Sequence, residues 1–187
     1  MRDSRILMFH KPKGVTTTRS DELGRKTVYD CLPAWVRAEG WVPVGRLDRD
    51  SRGLLLLVRE GRLVDILTGP GSPEKLYEVW VRGRVKEEHL EAARRGVATS
   101  LGTLSCTRAT VTGIAGPKTK LEVAISEGRN RHIRRLFGAF SDPERGTPLK
   151  VLDLKRVALG PVRLDIPSGA WRPLSEDEVA RLLQGRL

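Results

Sequence analysis

The stretch Val44-Gly45-Arg46-Leu47-Asp48-Arg49-Asp50-Ser51-Arg52-Gly53-Leu54-Leu55-Leu56-Leu57 decides the fold. Its second half opens an apolar run, residues 53–58, that reads as a strand buried on both faces. Its first half is a loop with two carboxylates, Asp48 and Asp50, and three arginines. A carboxylate on a loop anchored by a rigid buried strand is well placed for chemistry. Arginines around it would draw in a polyanion and keep the carboxylate ionised.

Working outward, residues 7–9 predict a short first strand that stops at Lys11-Pro12-Lys13-Gly14. Three threonines at 16–18 predict a second strand from their β-branched side chains. Thr27 is placed to cap a short helix running to Leu32 and ended by Pro33. Residues 61–67 predict a helix, and Gly69-Pro70-Gly71-Ser72-Pro73 breaks it. Residues 75–82 alternate as a strand does, with Tyr77, Val79 and Val81 on one side. A helix over 87–95 should close at Gly96. Strands are expected at 107–112 and 120–126, joined through 113–117, then a helix over 130–140 and a strand within 151–159. Ser175 and Glu178 make a capping box for a last helix. More strands than helices, several joined by short turns, predict an α+β domain on a mixed, mostly antiparallel sheet with flanking helices. At 187 residues the chain suits one domain or two fused subdomains.

The formal net charge of +11 predicts a polyanionic partner, either nucleic acid or an anionic membrane. Arginine supplies 25 of the 34 basic residues, and its planar fork suits phosphates and base faces. No apolar run approaches the roughly 20 residues needed to span a bilayer. The basic start at residues 1–5 is followed by no signal-peptide core. Cys31 and Cys106 stand alone, which fits a reducing cytoplasm and excludes a structural zinc motif. Three scattered histidines make no metal site either.

Four groups of residues can carry chemistry. Asp48 can serve as a nucleophile or as a base, or it can cap the turn into the strand; Asp50 reads as a turn residue. Tyr77 reads as a core aromatic beside Val79, or as a ring face for a flipped base. In Glu127-Gly128-Arg129-Asn130-Arg131-His132-Ile133-Arg134-Arg135-Leu136-Phe137, the apolar positions Ile133, Leu136, Phe137 and Phe140 make one core face of a helix. Its arginines read as a solvated surface or as a phosphate site. His10-Lys11-Pro12-Lys13-Gly14 reads as a rigid turn with Lys13 available for phosphate.

These segments resemble pseudouridine synthases of the RsuA-type branch. The matching motifs are Gly45-Arg46-Leu47-Asp48-x-Asp50-Ser51, Lys75-x-Tyr77-x-Val79, the 127–137 segment, the 10–14 turn and Gly169-Ala170-Trp171-Arg172-Pro173-Leu174-Ser175. The likeness spans residues 6–178. His10 stands where the family has Asn, His132 where it usually has Gln, and Leu136 where it has Met.

The resemblance implies a pseudouridine-synthase-like catalytic domain with a central cleft. It implies Asp48 as the catalytic residue, Tyr77 stacking on the target uracil and Arg134 pairing with Asp48. It implies Ile133 lining the uracil pocket and Arg46 holding the flipped nucleotide or the space it leaves. Lys75, Arg129, Arg131, Arg135 and Lys13 are the remaining candidates for substrate contact. No cofactor and no metal are expected.

Residues 21–27 and the 45–51 motif resemble RluE-type members, which lack an S4-like RNA-binding domain and modify large-subunit rRNA. The expectation is a cytoplasmic monomer acting on 23S rRNA, without an S4 domain and without a membrane. Two other classes share the basic surface. A non-catalytic rRNA-binding or ribosome-assembly factor would not need Asp48, Tyr77 and Arg134 together. A metal-dependent nuclease would need two or three converging carboxylates.

Overall fold

In the computed structural model, which describes residues 5–186, the chain opens with β1 (Ile6–Lys11), all six residues of which are buried. The basic start at residues 1–4 lies outside the described residues. β1 is longer than the sequence predicts because His10 and Lys11 continue the strand as buried polar residues. The strand expected at 16–18 is absent. Thr16 makes only an isolated parallel bridge to Thr27. The Thr17 and Thr18 hydroxyls bond the Leu47 and Ser20 carbonyls instead, a local alternative to a ladder that hydroxyl side chains offer.

Thr27 opens a 3-10 helix, Val28–Cys31. The Asp30 carboxylate accepts from the Thr27 backbone N–H at 2.7 Å and from its hydroxyl at 2.9 Å. Pro33, read as a stop, also serves as the N-cap of a further helix, α1 (Ala34–Ala38). After β2 (Val42–Pro43) comes β3 (Arg52–Val58). β3 runs antiparallel to β1, with Phe9 opposite Leu55 and Lys11 opposite Gly53. Leu54 to Val58 are all fully buried, so both faces of this strand are indeed apolar. Each such leucine stabilises the fold by about 1.5–3 kcal/mol. α2 (Gly61–Thr68) follows with Leu63 and Leu67 inward.

The next elements are β4 (Lys75–Arg82), α3 (Glu87–Arg95), β5 (Val97–Thr99), β6 (Gly102–Leu104), β7 (Arg108–Ala115) and β8 (Lys118–Ile125). β8 lies between β4 and β7 and pairs antiparallel with both. Gly116, at φ +53°, makes the tight β7–β8 turn together with Pro117, so β7 runs into 113–117 and β8 starts at Lys118, two residues before the expected 120. A register shift between Val111 and Gly113 bulges β7. The β5–β6 hairpin is absent from the sequence reading: three-residue strands carry too little periodicity to register.

α4 (His132–Gly138) is shorter than the expected 130–140. Arg131 adopts a left-handed conformation at φ +51° and stands outside the helix. Arg129 and Arg131 therefore belong to the loop leading in. β9 (Lys150–Leu159), β10 (Val162–Arg163), β11 (Trp171–Pro173) and α5 (Glu176–Leu183) complete the chain. β11 extends the β1 edge, with Phe9 opposite Trp171.

The fold is α+β, and the strand pairs β1–β11, β1–β3, β2–β3, β4–β8, β7–β8, β5–β6 and β9–β10 are all antiparallel. It divides into two compact units, the chain up to Pro73 together with Arg156 onward, and Glu74–Lys155. In the first, Ile6, Met8, Leu54, Leu56 and Val58 pack with Leu63 and Leu67 of α2 and Leu182 and Leu183 of α5. In the second, Val79, Val81, Leu121, Val123, Leu136 and Phe137 are among the buried side chains. No helix among the described residues is long and apolar enough to cross a membrane.

The last helix is fixed as its capping box predicts. The Ser175 hydroxyl accepts from the Glu178 N–H at 3.2 Å, and the Glu178 carboxylate accepts from the Ser175 N–H at 2.8 Å. Arg172 then clamps Glu178 at 2.6 and 2.8 Å and Asp165 at 2.7 and 3.0 Å. The Arg172 guanidinium pulls the Glu178 carboxyl down to about 2, from an ordinary 4.5. A depressed carboxylate stabilises the folded state fully above its unfolded value, and this is lost as pH falls from about 4.5 toward 2. Arg172→Met should therefore cost roughly 1–3 kcal/mol at pH 7. It should also flatten the acid limb of urea-denaturation midpoints measured from pH 6 to 2. An unchanged acid limb would contradict the clamp.

Candidate active site

The first unit presents the Asp48 turn. Asp48 O accepts from Ser51 N–H at 3.0 Å, so the turn spans Asp48 to Ser51 with Asp50 inside it. Its neighbours are pinned one by one. The Thr17 hydroxyl donates to the Leu47 carbonyl at 2.8 Å. Gly14 N–H donates to the Arg49 carbonyl at 2.8 Å, and Arg49 Nε returns a bond to the Gly14 carbonyl at 3.2 Å. Lys11 Nζ donates to the Ser51 carbonyl at 2.8 Å. The segments 11–17 and 47–51, far apart in sequence, thus form one rigid knot. Leu47 is buried, Asp48 half-buried, and Arg46, Arg49 and Asp50 exposed. Lys13 is exposed at the edge of the same knot.

Gly53 explains why the motif needs glycine after the turn. Its φ is +113°, and a Cβ there would lie 2.6 Å from the Arg156 backbone nitrogen and closer still to its carbonyl oxygen. Arg156 is itself buried, and its Nε donates to the Leu54 carbonyl at 2.7 Å. His10 occupies a position of similar use. Its Nδ1 lies 2.8 Å from the Ile166 carbonyl, and its backbone exchanges bonds of 2.9 Å with Ala170 and Gly169. The 10–14 turn thereby holds the segment that leads into β11.

The second unit presents Tyr77, Lys75 and the arginine segment. Tyr77 is buried on β4, beside Val79 and Val81 on the same face and opposite Val123. Lys75 is buried, and its Nζ donates to the Ser126 carbonyl at 3.0 Å, tying β4 to the start of the arginine segment. Ile133 is buried on α4. Arg134 is half-buried and donates from Nη1 to the Val151 carbonyl at 3.0 Å.

Arg129 and Arg135 grip the β5–β6 hairpin. Arg129 bonds the Leu101 and Thr103 carbonyls and pairs with Glu127 at 2.8 Å. Arg135 donates to the Ser100 hydroxyl at 2.8 Å. These bonds give both arginines a structural task that the reading of a solvated or phosphate-binding face did not contain. Exposed Arg131 projects from the loop before α4. The structure thus sorts the expected site residues into two sets: Lys13, Arg46 and Asp48 in the first unit, and Lys75, Tyr77, Arg129, Arg131, Ile133, Arg134 and Arg135 in the second. Among the described residues no group of three or more histidines, cysteines or carboxylates could hold a metal ion.

His132 is a buried strut. Its Nε2 lies 2.8 Å from the Ser105 carbonyl, and since a carbonyl only accepts, Nε2 carries the proton. Its Nδ1 is buried with no hydrogen-bond partner among the described residues. Burial pushes its pKa below the ordinary 6.5. The unfolded chain therefore takes up a proton that the folded chain resists. Stability is full above about 6.5 and declines as pH falls below it. His132→Gln keeps a donor for Ser105 and removes the titration. Its urea midpoint should fall less than that of the parent chain between pH 7.5 and 5. A parallel decline in both would contradict the assignment.

The sequence reading missed Lys11 and Thr17 as supports of the Asp48 turn. A lysine closing an apolar strand was the available signal for the first, since a lysine is almost never fully buried without partners.

Comparison with known proteins places this geometry in context. A family model described as RNA pseudouridylate synthase matches residues 5–139. The ribosomal large subunit pseudouridine synthase B of Vibrio cholerae is 39% identical over 178 residues, covering 94% of this chain and 53% of that protein. The protein of the same name from Haemophilus influenzae is 35% identical, covering 94% and 48%. The chain spans about half the length of the curated relatives it matches. A crystal structure of a pseudouridylate synthase superposes with a TM-score of 0.79 at 27% identity, over 97% of this chain and 75% of that one. An H/ACA RNP bound to a substrate RNA containing 2'-deoxyuridine shares the fold, with a TM-score of 0.61 at 20% identity over 86% of this chain and 49% of that one.

Proposed function

This chain belongs to the RNA pseudouridylate synthase family, and we propose that it isomerises a specific uridine of 23S rRNA to pseudouridine. The reaction conserves the composition of the nucleotide. The bond from uracil N1 to ribose C1′ breaks, uracil turns, and a bond from C5 to C1′ forms. The C5 proton leaves to solvent and N1 gains one, with no oxidation or reduction. Neither a cofactor nor a metal is needed.

The observation that carries this reading is the pinned Asp48 turn inside a motif order that runs the length of the family match. A carboxylate held on a rigid turn loses little further freedom when it acts, as nucleophile at C1′ or as a base. The target base must leave its stack, at a cost of a few kcal/mol. In this reading Tyr77 stacks on the flipped uracil, Ile133 lines its pocket and Arg134 pairs with Asp48. Arg46 fills or flanks the vacated space. Lys13, Lys75, Arg129, Arg131 and Arg135 contribute positive charge along the RNA path. The protein works as a monomer in the cytoplasm, as one catalytic domain of two fused subdomains. The relatives are named for the ribosomal large subunit, and residues 21–27 resemble RluE-type members; both support the large subunit as substrate.

The test is to incubate unmodified 23S and 16S rRNA with the protein in EDTA, then map pseudouridine by carbodiimide-blocked reverse transcription. One new stop confined to 23S rRNA is expected. Stops only in 16S rRNA would overturn the substrate. Turnover lost on chelation, with strand cleavage when metal is restored, would favour a nuclease.

A further inference from the structure

Lys11 is the last residue of β1 and is fully buried. Its Nζ donates to the Ser51 carbonyl at 2.8 Å and to the Pro12 carbonyl at 3.0 Å. Ser51 is the residue whose N–H closes the turn on the Asp48 carbonyl at 3.0 Å. One ammonium thus sits directly behind the turn that carries Asp48. An ammonium without water around it is costly, and two backbone carbonyls carry no full charge to balance it. The titratable groups that face it are Asp48 and Asp50 from the turn and Cys31 from the 3-10 helix. Their attraction favours the charged form, while burial opposes it more strongly and brings its pKa from 10.5 down to about 8.

We propose that Lys11 is a positioning residue for the isomerase reaction, its buried ammonium fixing the Asp48 turn and balancing the Asp48 charge, so that turnover falls when Lys11 loses its proton. The proposal rests on the reading of Asp48 as the catalytic residue. A neutral amine can still donate to both carbonyls, so deprotonation removes the charge and leaves the staple. Methionine at this position removes both. The signature is therefore an alkaline limb in kcat that belongs to a residue the RNA never touches.

Two opposite slopes follow from the same proton. The unfolded lysine holds its proton to about 10.5 and the folded one to about 8. Between these values the unfolded state binds more protons, so the contribution of Lys11 to stability rises with pH. Activity falls over the same interval. A residue that only affected the stability of the fold would leave kcat flat over this interval.

The experiment measures kcat at saturating rRNA from pH 6 to 10 for the intact chain and for Lys11→Met. The parent should lose turnover with a midpoint near 8. Lys11→Met should be about 10- to 100-fold slower, from loss of positioning, with KM little changed and the limb near 8 absent. A variant that keeps the parent rate and the parent limb overturns the proposal. No turnover by the parent at any pH would instead bring down the Asp48 reading, and this proposal with it.

A second measurement does not depend on the Lys11 variant folding. The Lys11 side-chain carbon signal can be titrated by NMR in the intact chain and in Asp48→Asn. Removing the facing charge should lower the Lys11 midpoint from near 8. An unchanged midpoint would show that the two charges do not balance each other and would overturn the proposal.

Discussion

Asp48→Ala is expected to abolish isomerisation while leaving rRNA binding within a fewfold of the parent. Loss of the group that attacks or deprotonates typically lowers kcat by about 10⁴-fold or more. The structure explains why binding should survive. The bonds that hold the turn run through Leu47, Arg49, Ser51 and the Asp48 backbone, and alanine leaves all of them in place. The exposed arginines nearby are untouched. Single-turnover kinetics with a filter-binding measurement on the same RNA separate the two effects. Turnover within tenfold of the parent would remove Asp48 from the chemistry. A matched loss of binding and turnover would mean the carboxylate organises the surface instead.

The second large effect is on folding. Gly53→Ala places a Cβ against the Arg156 backbone, 2.6 Å from its nitrogen, at a φ of +113° that L side chains rarely adopt. The conformational strain costs about 1–3 kcal/mol, and overpacking against backbone costs about 1–3 kcal/mol more. The sum is a large part of the 5–15 kcal/mol by which domains are typically stable. β3 carries the central leucines of the first unit and begins directly after the Asp48 turn, so the damage should reach both stability and turnover. Urea denaturation checks the first. As a control, Gly24→Ala meets nothing within 4 Å although its φ is also positive, at +65°. It should show strain without overpacking and lose clearly less. Equal losses at the two positions would mean that close approach to Arg156 contributes nothing.

Much of this architecture was legible because its signals are local. The 53–58 run, the alternation over 75–82, the Gly96 stop after α3 and the Ser175–Glu178 box each rest on a pattern a few residues long. What escaped was tertiary. The threonines at 16–18 carry strand propensity, yet the Thr17 hydroxyl serves Leu47, 30 residues away. Pro33 both ends one helix and begins the next. The arginine segment reads as a charged helix, but its left-handed Arg131 delays the helix, and the hairpin held by Arg129 and Arg135 has strands of three residues each. The Asp48 turn was legible from its motif. The lysine behind it was not, because what a buried ammonium bonds is decided by the chain packed against it.

The most direct measurement is tritium release. Unmodified 23S rRNA labelled with tritium at uridine C5 is incubated with the intact chain, and label released to water is counted against time. Release should plateau at one equivalent per rRNA molecule, because C5 must lose its hydrogen when it bonds to C1′. Tight binding without release from any rRNA would contradict it and leave a basic RNA-binding protein in its place.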